Sequence, residues 1–352
     1  MKLRYLILSF FTFTTAYAGR ISIMTFNVEN LFDAVHDPDR SDETFLPATE
    51  KTGKDHFLRC GAIKQKFYQK DCTDLDWTDK AIDVKMDHLA KTILQVNSGQ
   101  GPDLITLAEV ENIGILERFR KKHLEKFGYK YSILIEGNDR RGIDVAMLSK
   151  LEIVGKPVLH DIIFRRHRKK GTERGILEAS FKLPGGKILT AFAVHLLAPS
   201  NPTVRRTFAL EELNELAKAV PSENLVIAAG DFNITFPENR KKKILDTYIK
   251  PDWIVSHEVL TDGKDCKKCL GTHYTASKHE WSFFDMILLY RKSFASNKNK
   301  KKGTWQLKNN SVHIASTYKE QLKADGSPNS FDANLSTGVS DHLPLYLELE
   351  QN

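Results

Sequence analysis

The stretch Leu225-Val226-Ile227-Ala228-Ala229-Gly230-Asp231-Phe232-Asn233 decides how this chain is read. Leu225-Val226-Ile227 has the apolar texture of a buried strand. An acid and an amide two residues apart follow the apolar run. Residues at i and i+2 of an extended backbone point the same way. Asp231 and Asn233 should therefore converge on one spot at the carboxyl end of a strand, where open α/β sheets place their ligands. Gly230 permits an unusual backbone just before them. Gly-Asp-Phe-Asn alone is equally a polar turn capping a strand, so the other strand ends have to decide.

Working outward, several apolar runs end in a residue that is chemically odd for its surroundings. Ile21 to Asn27 alternates as a strand and delivers Asn27 to its end. Pro102 to Glu109 reads as a buried strand closed by an acid, which is costly unless something pairs with it. Strands are also expected over Lys130–Ile135, Gly142–Leu148 (carrying Asp144) and Leu151–Leu159. Two more follow at Gly175–Lys182 and Lys187–Val194, the second running into His195. Phe283 to Leu289 reads as a strand with Asp285 inside its apolar run. The chain closes with Ser340-Asp341-His342-Leu343-Pro344 and an alternating strand, Leu345 to Leu349. Helices are expected where Ile82, Met86, Leu89, Ile93 and Val96 recur with a Thr78 cap, over Ile113–Phe127, and after Asn201-Pro202. Strands adjacent without intervening helices argue for mixed or antiparallel sheets packed together with helices outside. No internal repeat or linker interrupts the pattern, so a single domain is expected.

The chain has 352 residues and a formal net charge of +7. That balance favours an anionic partner modestly, with solvated lysines as the plain alternative. Lys2 and Arg4 precede an apolar run from Tyr5 to Phe13, followed by Ala16-Tyr17-Ala18. Residues 1–18 thus read as a cleaved export signal, too short to span a bilayer comfortably. Removing its two cations lowers the charge from +7 to +5. No later stretch is long and apolar enough for a transmembrane helix. Export makes disulfides expected, with local Cys60–Cys72 and Cys266–Cys269 pairing preferred among the possible connectivities. Cys266-Lys267-Lys268-Cys269 could be half of a zinc site, but the Cys60/Cys72 spacing is wrong for the other half. Residues 19–352 form the expected domain. A polar segment at about 33–79, with little periodicity, is expected to be a loop insertion pinned by the first disulfide.

Taken in order, Phe26-Asn27-Val28-Glu29-Asn30, Leu107-Ala108-Glu109-Val110-Glu111-Asn112, Arg141-Gly142-Ile143-Asp144-Val145-Ala146, Val194-His195, Gly230-Asp231-Phe232-Asn233, Phe284-Asp285 and Ser340-Asp341-His342-Leu343-Pro344 resemble the endonuclease/exonuclease/phosphatase superfamily, typified by pancreatic deoxyribonuclease. The resemblance spans about Ile21 to Leu349. It implies a four-layered α/β/β/α sandwich with two central mixed sheets and a metal-dependent phosphodiesterase. Neutralising phosphoryl charge and activating water is the chemistry to be served, and hard oxygen ligands suit magnesium, with manganese or calcium as alternatives. By resemblance, Glu109 is the main metal ligand, helped by Asn27 and Asp285. His342 is the general base, with Asp341 fixing its tautomer. Asp231 orients the nucleophile or shares its proton, and Asn233 donates to the scissile phosphate. His195 binds phosphate and protonates the leaving oxygen, with Asp144 as its carboxylate partner. Pancreatic-type enzymes carry glutamate where Asp144 stands.

The fold leaves the substrate open. Nucleic acid is favoured by the resemblance of the first motifs to secreted bacterial-type nucleases, by the basic charge, and by three basic loops: Arg165–Lys170, Arg240–Lys243 and Lys298–Lys302. Nothing reads base edges, so cleavage without strong sequence specificity is expected, from an exported monomer with no stable protein partner. A secreted phospholipid or sugar-phosphate phosphoesterase is the alternative. It would need an exposed aromatic hairpin for docking; Trp281-Ser282-Phe283-Phe284 is the nearest candidate and reads as core. A non-catalytic nucleic-acid-binding protein is the third reading, disfavoured by the intact site residues.

Overall fold

Strands β1 (Arg20–Leu31), β2 (Leu104–Val110), β3 (Tyr131–Leu134), β4 (Asp144–Ser149), β5 (Ile153–His160), β6 (Ile176–Lys182), β7 (Ile188–His195), β8 (Leu225–Asp231), β9 (Trp253–Val255), β10 (Asp285–Tyr290), β11 (Trp305–Leu307) and β12 (Leu345–Gln351) build two mixed sheets. This computed structural model describes residues 19–164, 169–170, 174–259, 270–294 and 304–351. The first sheet runs β11-β12-β1-β2-β4-β3, with His313–Ile314 also pairing with β12. The second runs β9-β10-β8-β7-β6-β5. At the middle of each, one parallel pair meets an antiparallel one: β1 is parallel to β2 and antiparallel to β12. Likewise β8 is parallel to β7 and antiparallel to β10.

The strand parity explains the layering. Leu225, Ile227 and Ala229 of β8 pack between the sheets with Ile23, Val145 and Leu347 of the first sheet. Val226 and Ala228 face the other way, against Ala209, Leu210 and Leu213. Met24, Phe26, Ile105 and Leu107 pack on the opposite outer face against Ile82, Met86 and Leu89. Strands covered on both faces must be apolar at every position, which is why these runs read as continuous. Each fully buried Leu or Ile side chain contributes about 1.5–3 kcal/mol. The helices that cover the sheets are among α1 (Gly53–Gly61), α2 (Lys66–Asp74), α3 (Asp79–Leu94), α4 (Ile113–Phe119), α5 (Thr203–Ala219) and α6 (Phe236–Lys242). With α3 and α4 outside the first sheet and α5 outside the second, the order is helix, sheet, sheet, helix, as expected.

Three local expectations change. The segment at 33–79 is not a loop: it holds α1 and α2, joined by the Cys60–Cys72 disulfide. Its helices escape a periodicity search because Phe57, Leu58, Phe67 and Tyr68 are exposed, while only His56, Cys60 and Cys72 of the pair are buried. The cystine, rather than an apolar stripe, joins these helices. Its root is aromatic: Phe32 stacks on Phe45 at 4.1 Å, and Phe45 meets the edge of Trp77 at 5.2 Å. The helix beginning at Ile113 is α-helical only to Phe119 and reaches Phe127 through a wider turn and a tighter one. β10 begins at Asp285, so the acid stands at the strand entrance rather than inside the apolar run. Thr78 caps α3 as expected, accepting from Ala81 N at 3.3 Å. Cys266 and Cys269 lie outside the described residues, as do residues 1–18. Among the described residues no helix is long and apolar enough to cross a membrane.

Candidate active site

The register of the second sheet brings three predicted residues abreast: Asp231 pairs with His195 across the parallel ladder and with Asp285 across the antiparallel one. All three share the parity of the intersheet residues of their strands, so they stand where the gap between the sheets opens. Gly230 makes this possible. Its φ is +149°, and a Cβ there would lie 1.9 Å from the Val194 carbonyl oxygen, so only glycine permits the approach of β8 to β7.

Asp231 is the centre. Its Oδ2 accepts from Asn27 Nδ2 at 3.1 Å and from Asn233 Nδ2 at 3.0 Å, and its Oδ1 accepts from Asn233 N at 2.8 Å. His195 Nε2 lies 3.5 Å from the same Oδ2 and His342 Nε2 lies 3.9 Å from it. Asn233, at φ +52°, also donates from Nδ2 to Leu196 O at 3.0 Å. Asparagine is among the few side chains that take this left-handed backbone readily. Burial and the neighbouring Asp285 charge push the Asp231 carboxyl up to about 7, against the pull of His342.

His342 is held by a different acid from the one expected. Its Nδ1 meets Asp285 Oδ2 at 2.6 Å, whereas Asp341 Oδ1 is 4.0 Å from Nε2. Asp341 is adjacent in sequence, but its carboxylate lies on the Nε2 side of the ring. Asp285 instead orients the ring and leaves Nε2 on the side of Asp231. Both oxygens of Asp285, expected as a metal ligand, are engaged: Oδ2 is on His342, and Oδ1 accepts from Asn27 N at 3.3 Å. Burial works against the charge on His342, but Asp285, Asp341 and Asp231 together hold its proton affinity well above the usual histidine range. His195 is the opposite case. Burial, Arg174 and Arg141 drive it well below that range.

Asp144 also departs from expectation. It shares parity with Ala146 and Leu148, which pack toward the outer helices, and its Oδ1 accepts from Gly137 N at 2.9 Å. It is therefore not the partner of His195, whose nearby carboxylates are Asp231 and Glu109, the latter with Oε1 3.7 Å from Nε2. His195 Nδ1 is buried with no hydrogen-bond partner among the described residues.

Glu109 sits at a break in register between β2 and its neighbours, with φ +66°. Bulges of this kind re-aim a side chain beside an active site. Its carboxylate makes no hydrogen bond to a described side chain or backbone group, and Asn27 Oδ1, which accepts only from Glu29 N at 3.0 Å, keeps a lone pair. A carboxylate and an amide oxygen are hard-oxygen donors of the kind that fits a divalent cation.

Sequence reasoning missed several residues. Ser340 Oγ donates to Asn27 O at 2.7 Å and accepts from His342 N at 3.0 Å, tying β1 to the histidine loop. It stood in a quoted motif and could have been found. Thr272 Oγ1 accepts from Asp285 N at 3.0 Å, and His273 stacks on Phe284; neither has a local signal. Arg174 is buried, pairs with Asp139 at 3.0 Å, and approaches the carbonyls of His195 and Leu196 at 3.4 Å. Of the basic loops, Arg240–Lys242 form the last turn of α6, and Lys243 is its cap. Residues 165–168 and 298–302 lie outside the described residues. Trp281, Phe283 and Phe284 are packed into the core or against it, as expected.

Comparison with known proteins agrees with this architecture. The chain is similar to zebrafish (D. rerio) TDP2 humanized by 14 mutations, with TM-score 0.54, 13% identity, and 94% of this chain and 98% of that one covered. It is similar to an endonuclease/exonuclease/phosphatase from Beutenbergia cavernae, with TM-score 0.54, 15% identity, and coverage of 95% and 72%. A Bacteroides thetaiotaomicron family protein gives TM-score 0.53, 14% identity, and coverage of 95% and 99%. At such identities the likeness shows the fold. No curated protein matches the sequence. A sequence model described as Endonuclease/Exonuclease/phosphatase family matches residues 63–351, from inside the insertion to the end of β12. The chain therefore belongs to the endonuclease/exonuclease/phosphatase family, whose members are usually hydrolases of phosphoester bonds that use divalent metal ions.

Proposed function

We propose that the chain is an exported, magnesium-dependent nuclease that hydrolyses DNA or RNA phosphodiesters without strong sequence specificity. The observation that carries this reading is the convergence of Asn27, His195, Asp231, Asn233, Asp285 and His342 at one end of the intersheet gap. Glu109 with Asn27 Oδ1 would hold the cation, which supplies positive charge to the phosphoryl oxygens. His342 Nε2 takes the proton of the attacking water, with Asp285 at Nδ1 fixing the tautomer and strengthening the base. Asp231 orients that water. Asn233 fixes the Asp231 carboxylate, its two Nδ2 hydrogens being engaged by Asp231 Oδ2 and Leu196 O, and His195 faces the leaving oxygen. Arg174 and Arg141 place positive charge on the His195 side of the site, which suits a phosphodiester anion. Export is supported by the leader-like residues 1–18 and by the Cys60–Cys72 disulfide.

One observation favours a second reading, a phospholipid phosphoesterase. The α1–α2 insertion leaves Phe57 54% exposed, Phe67 70% and Tyr68 59%, an aromatic surface of the kind a lipid-docking element needs. The test is the mature, disulfide-intact protein with magnesium on plasmid, single-stranded DNA, RNA and sphingomyelin, beside His342→Ala. Nucleic-acid cleavage lost in the variant and in excess chelator is expected. Phospholipid turnover without nucleic-acid cleavage overturns the nuclease reading.

A further inference from the structure

We propose a second cation site, selective for transition metals such as zinc over magnesium, formed by His273, Asp341 and His342. One potential ligand atom from each residue lies within 4.8 Å of the other two. The rings are preset. His273 pairs with His342 through the backbone, and Leu343 N donates to Thr272 O at 2.8 Å. The His273 ring stacks on Phe284 at 4.5 Å and 9°, with its centroid 4.9 Å from that of His342.

The commitments of the other atoms leave ligands free. Asp285 occupies His342 Nδ1 at 2.6 Å, so Nε2 is the available ligand atom, 4.0 Å from Asp341 Oδ1. A carboxylate behind a ligating imidazole is the arrangement that fixes a metal-binding ring. His273 Nδ1 has no hydrogen-bond partner among the described residues. Asp341 is 45% exposed, which gives an ion a way in. Ligand atoms around tetrahedral zinc lie about 3.3 Å apart, so closure needs side-chain shifts of about 1 Å.

The donor chemistry sets the selectivity. Two imidazoles and one carboxylate with a fourth position open suit zinc, cobalt or manganese, whereas magnesium requires oxygen ligands. This site shares no ligand with Glu109 and Asn27. An ion here takes His342 Nε2, so zinc would silence magnesium-dependent turnover by capturing the base. The other histidine cluster, His56 with Cys60 and Cys72, is no competitor because its sulfurs are joined.

The test is cobalt titration of the mature, disulfide-intact chain, read by visible absorption, with zinc and magnesium as competitors. One cobalt per chain is expected, displaced by zinc and not by equal magnesium. His273→Phe, which keeps the stack on Phe284, should weaken binding at least about tenfold with unchanged thermal unfolding. Its magnesium-dependent turnover should no longer be inhibited by zinc. His273→Gln replaces it if the Phe variant unfolds. Cobalt bound as tightly by these variants as by wild type, or displaced by equal magnesium, overturns the site. The spectrum needs no turnover, so this outcome is independent of the nuclease reading.

Discussion

The active-site edge and the α1–α2 insertion hold their polar groups by opposite means. At the edge the hydrogen bonds join residues far apart in sequence: 204 positions for Asn27–Asp231, 258 for Asn27–Asp285 and 313 for Ser340–Asn27. In the insertion the ties are local: 12 positions for the disulfide and 20 for Lys51 Nζ to Asp71 O. The edge forms only when both sheets form, so it shares their global stability. The insertion can open by itself, as locally stabilised segments do. The two regions are neighbours nonetheless, since the insertion leaves β1 only a few residues beyond Asn27.

That contrast fails first if its catalytic half is wrong. His342→Ala is expected to lower kcat/KM for magnesium-dependent cleavage about 10³-fold with thermal unfolding unchanged; near-normal turnover would remove the base from His342. Asp285→Asn should cost less, about 10²-fold, because it removes the ring's orienting charge rather than the reacting nitrogen. Asp341→Asn, which leaves Nδ1 and its partner intact, should fall short of that loss. A larger effect at Asp341 than at Asp285 would restore the partner expected from sequence.

The insertion should behave in the reverse way. Replacing Cys60 and Cys72 by Ala removes a short closed loop whose loss costs about 3 kcal/mol at most. Amide exchange or proteolysis should quicken over residues 53–74 while turnover of a short oligonucleotide stays within about twofold. Loss of activity comparable to the His342 variant would make the insertion part of the site. The smallest effect concerns Lys51, whose Nζ donates to Thr44 O at 2.7 Å and to Asp71 O at 3.3 Å. Burial lowers its pKa from 10.5 to about 8, partly offset by Asp76 and Asp71. Between those values the unfolded chain binds the extra proton, so the burial penalty of this group is relieved progressively as pH rises through the window. Wild type should therefore gain about 1–2 °C on Lys51→Met between pH 8 and 10. A constant gap between the two would place Lys51 in water.

Most of the frame was legible in the sequence. Apolar runs covered on both faces marked β2, β7 and β8, and packed sheets with helices outside followed from them, while the four-layer order came from the family resemblance. The insertion was not legible as helix because Phe57 and Phe67, the residues that would have drawn an apolar stripe, face solvent. At the site, the identities of Asn27, Glu109, His195, Asp231, Asn233, Asp285 and His342 could be read from strand ends. Their partnerships could not. The family resemblance suggested Asp341 for His342 and Asp144 for His195; the tertiary contacts decided otherwise in both cases.

What the sequence determined alone is therefore a set of strands and the polar residue at the end of each, because burial periodicity and a costly terminal charge are local properties. What only the tertiary structure decided is which groups touch. Asp231 lies beside Asp285 because β8 and β10 are antiparallel in that one register. His273 lies against His342 because the segment before β10 folds over the loop before β12. A hydrogen bond depends on separations of a few tenths of an ångström, and these distances are set by packing across hundreds of residues.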